Sequence, residues 1–487
     1  MPCAMLDLRP VGYVIGLIVA IVGATMLIPM LTDLAQGNGH WPVFLECFLL
    51  TTTTGVFMAL GCANGVTPRI SIRQLFLLTS GIWLVLPLFC ALPFVLGATG
   101  ARPVDAVFEA VSGLTTTGST VFTGLESLPR GLLLWRSMLN WFGGIGILVV
   151  AMVFLPELRV GGMQIFRSEA FETDGKVLPR AAQIAGRISA AYVALTAACY
   201  ASFVAVGMPP FDAVNHTLAT VSTGGFSTWD ASFGVYQGAP EYVASVFMVL
   251  AALPFVRYVQ IIGGTALPLL RDLQVRAFLW VIAVLAGGIA AYQVAFNGAK
   301  VEPALRETLF SVTSIITGTG FTSTDYQMWG PAPVVVFFFA GLIGGCAGST
   351  CCSVKIFRYQ LLFASIRAQI RSIHSPHGVF TPRYGGAPVP PETLLSVSAF
   401  FTVFVVTLGV SAVALSATGL DTITAISGAA TALANVGPGL GEVIGPAGNF
   451  QSLNDMAKWI LSGLMFLGRL ELMVVFVLLT PRFWRTA

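Results

Sequence analysis

Charge is scarce in this chain: 10% of its 487 residues are Asp, Glu, Lys or Arg against 56% apolar ones, where a soluble domain carries about a quarter charged residues. That shortage excludes an ordinary soluble enzyme. A single globular core stops growing near ~250–300 residues, yet apolar runs continue here from residue 11 to residue 480 with no soluble domain between them. Lipid must solvate most of the surface. Signatures of catalysis are missing as well. There is no HExxH zinc helix and no GxSxG elbow, and the four histidines are His40, His216, His374 and His377. His374 and His377 share one loop, but that spacing alone does not make a metal site. Gly437-Pro438-Gly439-Leu440-Gly441 follows no soluble strand and is not a dinucleotide loop. The eight cysteines lack paired spacing and read as small buried hydrophobes, not as a disulfide framework. A net charge of +3 gives no sign of a nucleic-acid partner.

What the chain does have is a series of long apolar runs. A helix crosses the ~30 Å hydrocarbon layer with roughly 20 residues. Ten such runs fall near 11–33, 43–63, 74–98, 131–155, 183–206, 241–263, 277–296, 331–349, 393–418 and 456–480. The first reads as a retained span, since no small-residue cleavage site follows it. With the N-terminus inside, the loops 64–73, 156–182, 264–276 and 350–392 and the C-terminal tail are cytoplasmic. Most Lys and Arg residues lie there or at inner helix ends, among them Arg69, Arg159, Arg167, Lys176, Arg257 and Arg358. Outer loops hold Arg102, Arg130, Lys300 and Arg306, while Arg136, Lys458 and Arg469 sit within spans or at their outer ends. This bias supports the orientation.

Four outer loops contain an apolar stretch too short to cross, starting near Val104, Ala213, Ala304 and Ile423, and then break into Gly, Thr and Ser. Half-penetrating helices fit that pattern. The breaks align without gaps: Leu114-Thr115-Thr116-Thr117-Gly118, Val221-Ser222-Thr223-Gly224-Gly225, Ile316-Thr317-Gly318-Thr319-Gly320 and Leu433-Ala434-Asn435-Val436-Gly437. The unit recurs about every 100 residues. The fold class expected is an all-α polytopic membrane protein. Two N-terminal transmembrane helices (1–73) precede four pseudo-symmetric membrane-pore-membrane repeats (74–182, 183–276, 277–392 with an intramembrane gating loop, and 393–487) around one pore.

Irregular backbone at membrane depth survives only where protein or water surrounds it, so four such loops imply a shared water-accessible axis. Small side chains let carbonyls point inward, glycine permits positive φ, and rings of carbonyls can replace the hydration shell of an ion. Asp105, Glu109, Asp212, Asp230, Glu302, Glu307, Asp325, Asp421, Glu442 and Asp455 all lie in outer segments and could concentrate cations at an entrance. They could equally be the counterpart of the inner basic bias. Two interior features are unlike a plain span. Arg469 lies midway along 456–480, where an Arg costs ~2.5–3.5 kcal/mol on insertion scales and faces water or a partner. It reads as a pathway residue, with structural pairing to Glu471 or a helix carbonyl as the alternative. The run Gly344-Gly345-Cys346-Ala347-Gly348-Ser349-Thr350 reads as a break, or as close helix packing through small residues.

Taken in order, Trp141-Phe142-Gly143-Gly144, the stretch beginning Val160-Gly161-Gly162, Gly341 through Arg358, Ala434 through Gly441 and Leu464 through Val475 resemble the TrkH membrane subunits of the Trk/Ktr/HKT superfamily of cation transporters. The resemblance covers essentially the whole chain. It implies potassium uptake across the bacterial inner membrane, by conduction or symport, with both termini cytoplasmic. It implies a selectivity filter of carbonyls from Thr116 and Thr117, Thr223 and Gly224, Gly318 and Thr319, and Asn435 and Val436, closed by Gly118, Gly225, Gly320 and Gly437. Glycine at all four closing positions goes with potassium selectivity. A sodium-coupled or sodium-permeable transporter of the same fold is the alternative. The family's gate maps to the 344–350 run, facing Arg469; Cys351 and Cys352 depart from its usual glycines. The expected partners are a second copy, a cytosolic TrkA-type nucleotide-binding ring and membrane lipid. Potassium is the transported ion, no organic cofactor is expected, and the chain is not expected to be an enzyme. A secondary transporter built from inverted repeats is disfavoured, because all four loops enter from the same side.

Overall fold

The computed structural model describes residues 7–65, 71–150, 162 and 177–484. The basic residues Arg69, Arg159, Arg167 and Lys176, Cys3 and most of the stretch after Val160 lie outside them. Among the described residues the fold is helical, with one two-residue hairpin in which Arg383 pairs with Pro388 and Tyr384 with Ala387. Its turn is Gly385-Gly386, both at positive φ, the backbone a tight two-residue hairpin needs.

Seven described helices are long and apolar enough to cross a membrane, and two bent pairs bring the number to nine. The first two spans, Arg9–Gln36 and Trp41–Gly65, touch through glycines. A Cβ on Gly16 would stand 2.6 Å from the Ala59 nitrogen and 2.8 Å from the Gly55 oxygen, so the crossing depends on small residues, as in other lipid-embedded helix pairs.

Three of the ten expected spans are not single helices. The run at 241–263 is Ala239–Ala251 followed by Phe255–Ile262 at 89°; Pro254 begins the second piece, and a proline ends the helix before it. The run at 456–480 is Asp455–Arg469 followed by Leu472–Leu478 at 107°, with Glu471 at φ 63° in the corner. The run at 331–349 is helical only over Pro331–Gly341. It then becomes a loop in which Gly344, Gly348, Ser353 and Lys355 all have positive φ, and the helix Ile356–His374 follows. Hydropathy averages over a window, so the apolar pieces on either side outweigh a short break, even one that holds Arg469 and Glu471, and each reads as one run.

The four short outer stretches form half-helices: Pro103–Leu114, Pro210–Val221, Val301–Thr317 and Thr422–Ala434. Proline in the first turn of the first two costs nothing, because the N–H groups there have no intrahelical partner. Asp105, Asp212 and Glu302 lie in first turns, where an anion opposes the helix dipole. Asp421 caps the fourth, and hydrogen bonds with Thr424 hold its carboxyl below the usual carboxylate range. The half-helices are buried along most of their length and direct their C-terminal ends inward at the glycine loops.

Candidate functional site

Each half-helix runs out into the same backbone figure. Two residues before the closing glycine the chain is left-handed, at Thr116 (φ 53°), Thr223 (φ 52°), Gly318 (φ 74°) and Asn435 (φ 53°). At the closing glycine it is left-handed again, at Gly118 (φ 82°), Gly225 (φ 73°), Gly320 (φ 78°) and Gly437 (φ 108°). Between these two positions, the amides of Thr117, Gly224, Thr319 and Val436 donate back to Ser112, Ala219, Ser314 and Thr431 at 2.9, 2.8, 2.9 and 3.0 Å. Threonine and asparagine in the left-handed region cost free energy, and the back-donated hydrogen bonds hold them there.

The four loops meet in cyclic order. A Cβ on Gly118 would stand 2.5 Å from the Gly224 oxygen, and one on Gly437 would stand 2.9 Å from the Thr117 oxygen. A Cβ on Gly225 would overlap the Thr319 oxygen, and one on Gly320 the Val436 oxygen. Every closing glycine thus abuts the carbonyl that precedes the closing glycine of the next loop, from first to fourth and back to first. All twelve residues expected at this site are gathered here.

Side chains bind the loops to one another and to the helices behind. The Asn435 amide donates to the Thr117 hydroxyl at 2.8 Å and to the Met465 carbonyl at 2.9 Å. Ser119 donates to the Gly437 carbonyl at 2.8 Å. On one side of the ring lies a cavity of about 250 Å³, lined by the four closing glycines and by residues that follow them, with Asp230 and Arg136 as its charged lining. Arg136 is 1% exposed and pairs with buried Glu109 at 2.8 Å. It also donates to the Ser227 carbonyl at 2.8 Å and lies 4.3 Å from the centre of the Phe226 ring. This buried pair fastens the first loop to the second, and no sequence pattern signalled it.

Several outer carboxylates proposed as a cation funnel have other partners. Glu109 holds Arg136, Asp105 holds Lys458 at 2.6 Å, Asp212 accepts from Tyr236 at 2.7 Å, and Asp230 accepts from the Gly124 amide at 2.7 Å. For Glu109 and Asp105, neutralised by a cation, the funnel reading is lost, whereas Asp212 and Asp230 accept from neutral donors and keep their charge, Asp230 in the cavity lining. Lys458, in the first turn of Asp455–Arg469, is a buried partner of the first half-helix.

On the opposite side of the ring lies the predicted 344–350 segment, and every residue from Gly344 to Cys352 is buried. It is docked on the broken helix pair. The Cys346 amide donates to the Ala252 carbonyl at 3.1 Å, and the Phe255 amide donates to the Gly348 carbonyl at 2.9 Å. The Ala347 amide reaches the Gln274 side chain at 2.8 Å. At the ring itself the Thr223 hydroxyl meets that of Thr350 at 3.2 Å. The segment is thus an irregular loop, not the close helix packing of small residues.

Arg469 is the last residue of its helix, at the corner and not midway along a span, and is 2% exposed. Its guanidinium donates to the Thr350 carbonyl at 3.2 Å, to the Gly143 carbonyl at 2.8 Å and to the Cys352 sulfur. Cys352, one of the two departures from the usual glycines, is therefore an Arg469 ligand. Glu471 pairs instead with Arg358, and with Lys355 at 3.5 Å, which excludes it as the Arg469 counter-ion. Arg358, expected in a cytoplasmic loop, is fully buried. The space among Cys352, Arg469 and Glu471 amounts to about 10 Å³, room for one water at most.

A chain of lipid-length helices that buries four converging loops of small residues and bare backbone is a multi-pass membrane transport protein. The TrkH family model, a cation transport protein, matches residues 63–485. The chain belongs to that family. It is 44% identical over 414 residues to the Trk system potassium uptake protein TrkI of Halomonas elongata, covering 85% of this chain and 84% of that one. It is 35% identical over 485 residues to the Trk system potassium uptake protein TrkH of Escherichia coli K12, covering 98% and 99%. The crystal structure of the potassium transporter TrkH from Vibrio parahaemolyticus matches with a TM-score of 0.91 at 34% identity, over 99% of this chain and 100% of that one.

Proposed function

We propose that this protein takes potassium into the cell across the bacterial inner membrane through the ring formed by the four loops. The reading makes 74–182, 183–276, 277–392 and 393–487 four pseudo-symmetric repeats around one pathway, after two N-terminal spans, with both termini in the cytoplasm. The observation that carries it is the cyclic abutment of closing glycine on neighbouring carbonyl. Backbone oxygens crowded in that order form a cage for a dehydrated monovalent cation, and four half-helix C-termini aimed at the cage add negative potential. Thr116 and Thr117, Thr223 and Gly224, Gly318 and Thr319, and Asn435 and Val436 are its carbonyl donors. The 344–350 segment, held by Arg469, is the gate. A homodimer bearing a cytosolic TrkA-type nucleotide-binding ring completes the assembly.

Two experiments test this. Expressed with its cognate partner in a bacterium lacking potassium uptake, the wild-type chain restores growth at low external potassium. Gly118→Ser, whose Cβ falls 2.5 Å from the Gly224 oxygen, loses uptake or admits sodium. Wild type that fails to rescue overturns the function; a variant that rescues with unchanged ion preference overturns the filter. For the gate, Arg469→Ala removes the donors to Thr350 and Gly143, and the initial rate of uptake is expected to rise about tenfold or more, the effect of losing a charge-assisted hydrogen bond of ~1.5 kcal/mol. An unchanged or lower rate at equal membrane level removes Arg469 from the gate.

A further inference from the structure

One side chain behind the ring has no assigned role. Asn140 lies on the helix Arg130–Val149 and is fully buried, and neither its amide nitrogen nor its carbonyl oxygen has a hydrogen-bond partner among the described residues. Its position is specific. A Cβ on Gly224 would stand 2.5 Å from the Asn140 Cγ and 2.7 Å from its Nδ2, so the carboxamide occupies the space that a side chain at 224 would take.

The residues one before the closing glycine are Thr117, Gly224, Thr319 and Val436. Three carry their own backing. The Thr117 hydroxyl meets Thr115 at 2.7 Å and Asn435 at 2.8 Å, the Thr319 hydroxyl meets Thr317 at 2.8 Å, and the Val436 side chain is buried in an apolar cluster. The second loop alone has no side chain there, and Asn140 fills the gap from outside. The equivalent position of the fourth repeat also touches a loop, though through its backbone and on its own loop. Gly143 abuts the Leu114 carbonyl as Gly468 abuts the Leu433 carbonyl, which puts Met465 at the position of Asn140, and the Met465 carbonyl accepts from Asn435 of the fourth loop.

We propose that Asn140 is a selectivity-determining positioning residue, acting through Gly224. Its carboxamide braces the second loop from the neighbouring helix, and so fixes the spacing of the carbonyl ring on which discrimination between potassium and the smaller sodium depends. A buried carboxamide without a protein partner carries a cost that a leucine would not, and a brace of this shape is what it contributes. Deleting the carboxamide leaves a void into which the second loop relaxes, and a ring widened in one quadrant holds potassium less selectively. The inference rests on the ring being the ion filter.

The test uses the full chain with its cognate partner in the potassium-uptake-deficient bacterium, comparing N140A, G224A, N140G/G224A and G118S. The measurements are the initial rate of potassium uptake, its inhibition by sodium, and the amount of protein in the membrane. N140A is expected to keep uptake while its preference for potassium over sodium falls about tenfold. G224A, driven into the Asn140 side chain, is expected to lose uptake at least about tenfold. N140G/G224A, which moves the Cβ bulk from helix to loop, is expected to exceed G224A in both rate and preference by at least about threefold. Wild-type preference in N140A overturns the proposal, as does a double variant no better than G224A. If N140A does not reach the membrane, the comparison of G224A with the double variant decides. Unchanged preference in G118S removes the filter reading itself, whereas a changed G118S beside unchanged N140A and an unrescued double variant removes only the role of Asn140.

Discussion

Gly225→Ala is expected to lower potassium uptake at least about 100-fold, equivalent to roughly 2.7 kcal/mol, without removing the protein from the membrane. Two costs coincide at this position. The backbone at φ 73° puts a Cβ too close to a carbonyl oxygen, at ~1–2 kcal/mol for an ordinary residue. The Cβ would also overlap the Thr319 oxygen of the third loop, so relief requires moving one of the carbonyls proposed to hold the ion. The control is Gly287→Ala, on the helix Leu273–Asn297, where a Cβ has nothing within 4 Å; it should transport like wild type. Initial rates normalised to membrane-inserted protein make the comparison. A Gly225→Ala rate above a tenth of wild type would mean that the loops do not need to touch in order to work.

Glu471→Ala should cost ~3–5 kcal/mol of stability and deplete the folded protein. Glu471 is buried at the corner between Asp455–Arg469 and Leu472–Leu478 and pairs with Arg358 and Lys355, both buried. Truncation leaves two cations in the interior without their carboxylate, and the penalty comes from those charges more than from the lost attraction. Glu471→Gln, which keeps the shape and can still accept hydrogen bonds, should fall between the two. Replacing both members, as in Glu471→Leu with Arg358→Met, should recover part of the loss. Thermal unfolding of the detergent-solubilised protein reads this order. If the double variant proves less stable than Glu471→Ala, the burial of charge left without its partner is not the cause.

What could be read from the sequence follows from which features leave a local mark. The four loops were legible because they need small residues at fixed offsets: glycine at 118, 225, 320 and 437 is demanded by positive φ and by a carbonyl packed against the α-carbon. The half-helices were legible because they are apolar and too short to cross. The corners at Pro254 and Glu471 and the loop after Gly341 were only partly so. Hydropathy records composition, and a helix that turns by 89° keeps the same composition. Arg469 was found by its cost in a span and the resemblance set it facing the run that ends at Thr350, but its contact with Gly143 was not foreseen, since those segments become neighbours only after the chain packs. The pair Glu109 with Arg136 escaped for the same reason. Each residue alone reads as an outer charge, and their 2.8 Å contact is a property of the assembled fold. Asn140 gave no sequence signal at all, because its place is defined by the side chain that Gly224 lacks.

The ring of glycine against carbonyl comes from a single polypeptide, and this bears on how such a protein can change. Where identical subunits build a cage, one altered codon rewrites every quadrant together. Here a codon rewrites one quarter, and the other three keep their shape. On the proposed reading the ring can therefore drift toward a different ion in small steps, and adjoining sides need not match: threonine, glycine, threonine and valine already stand at one and the same level.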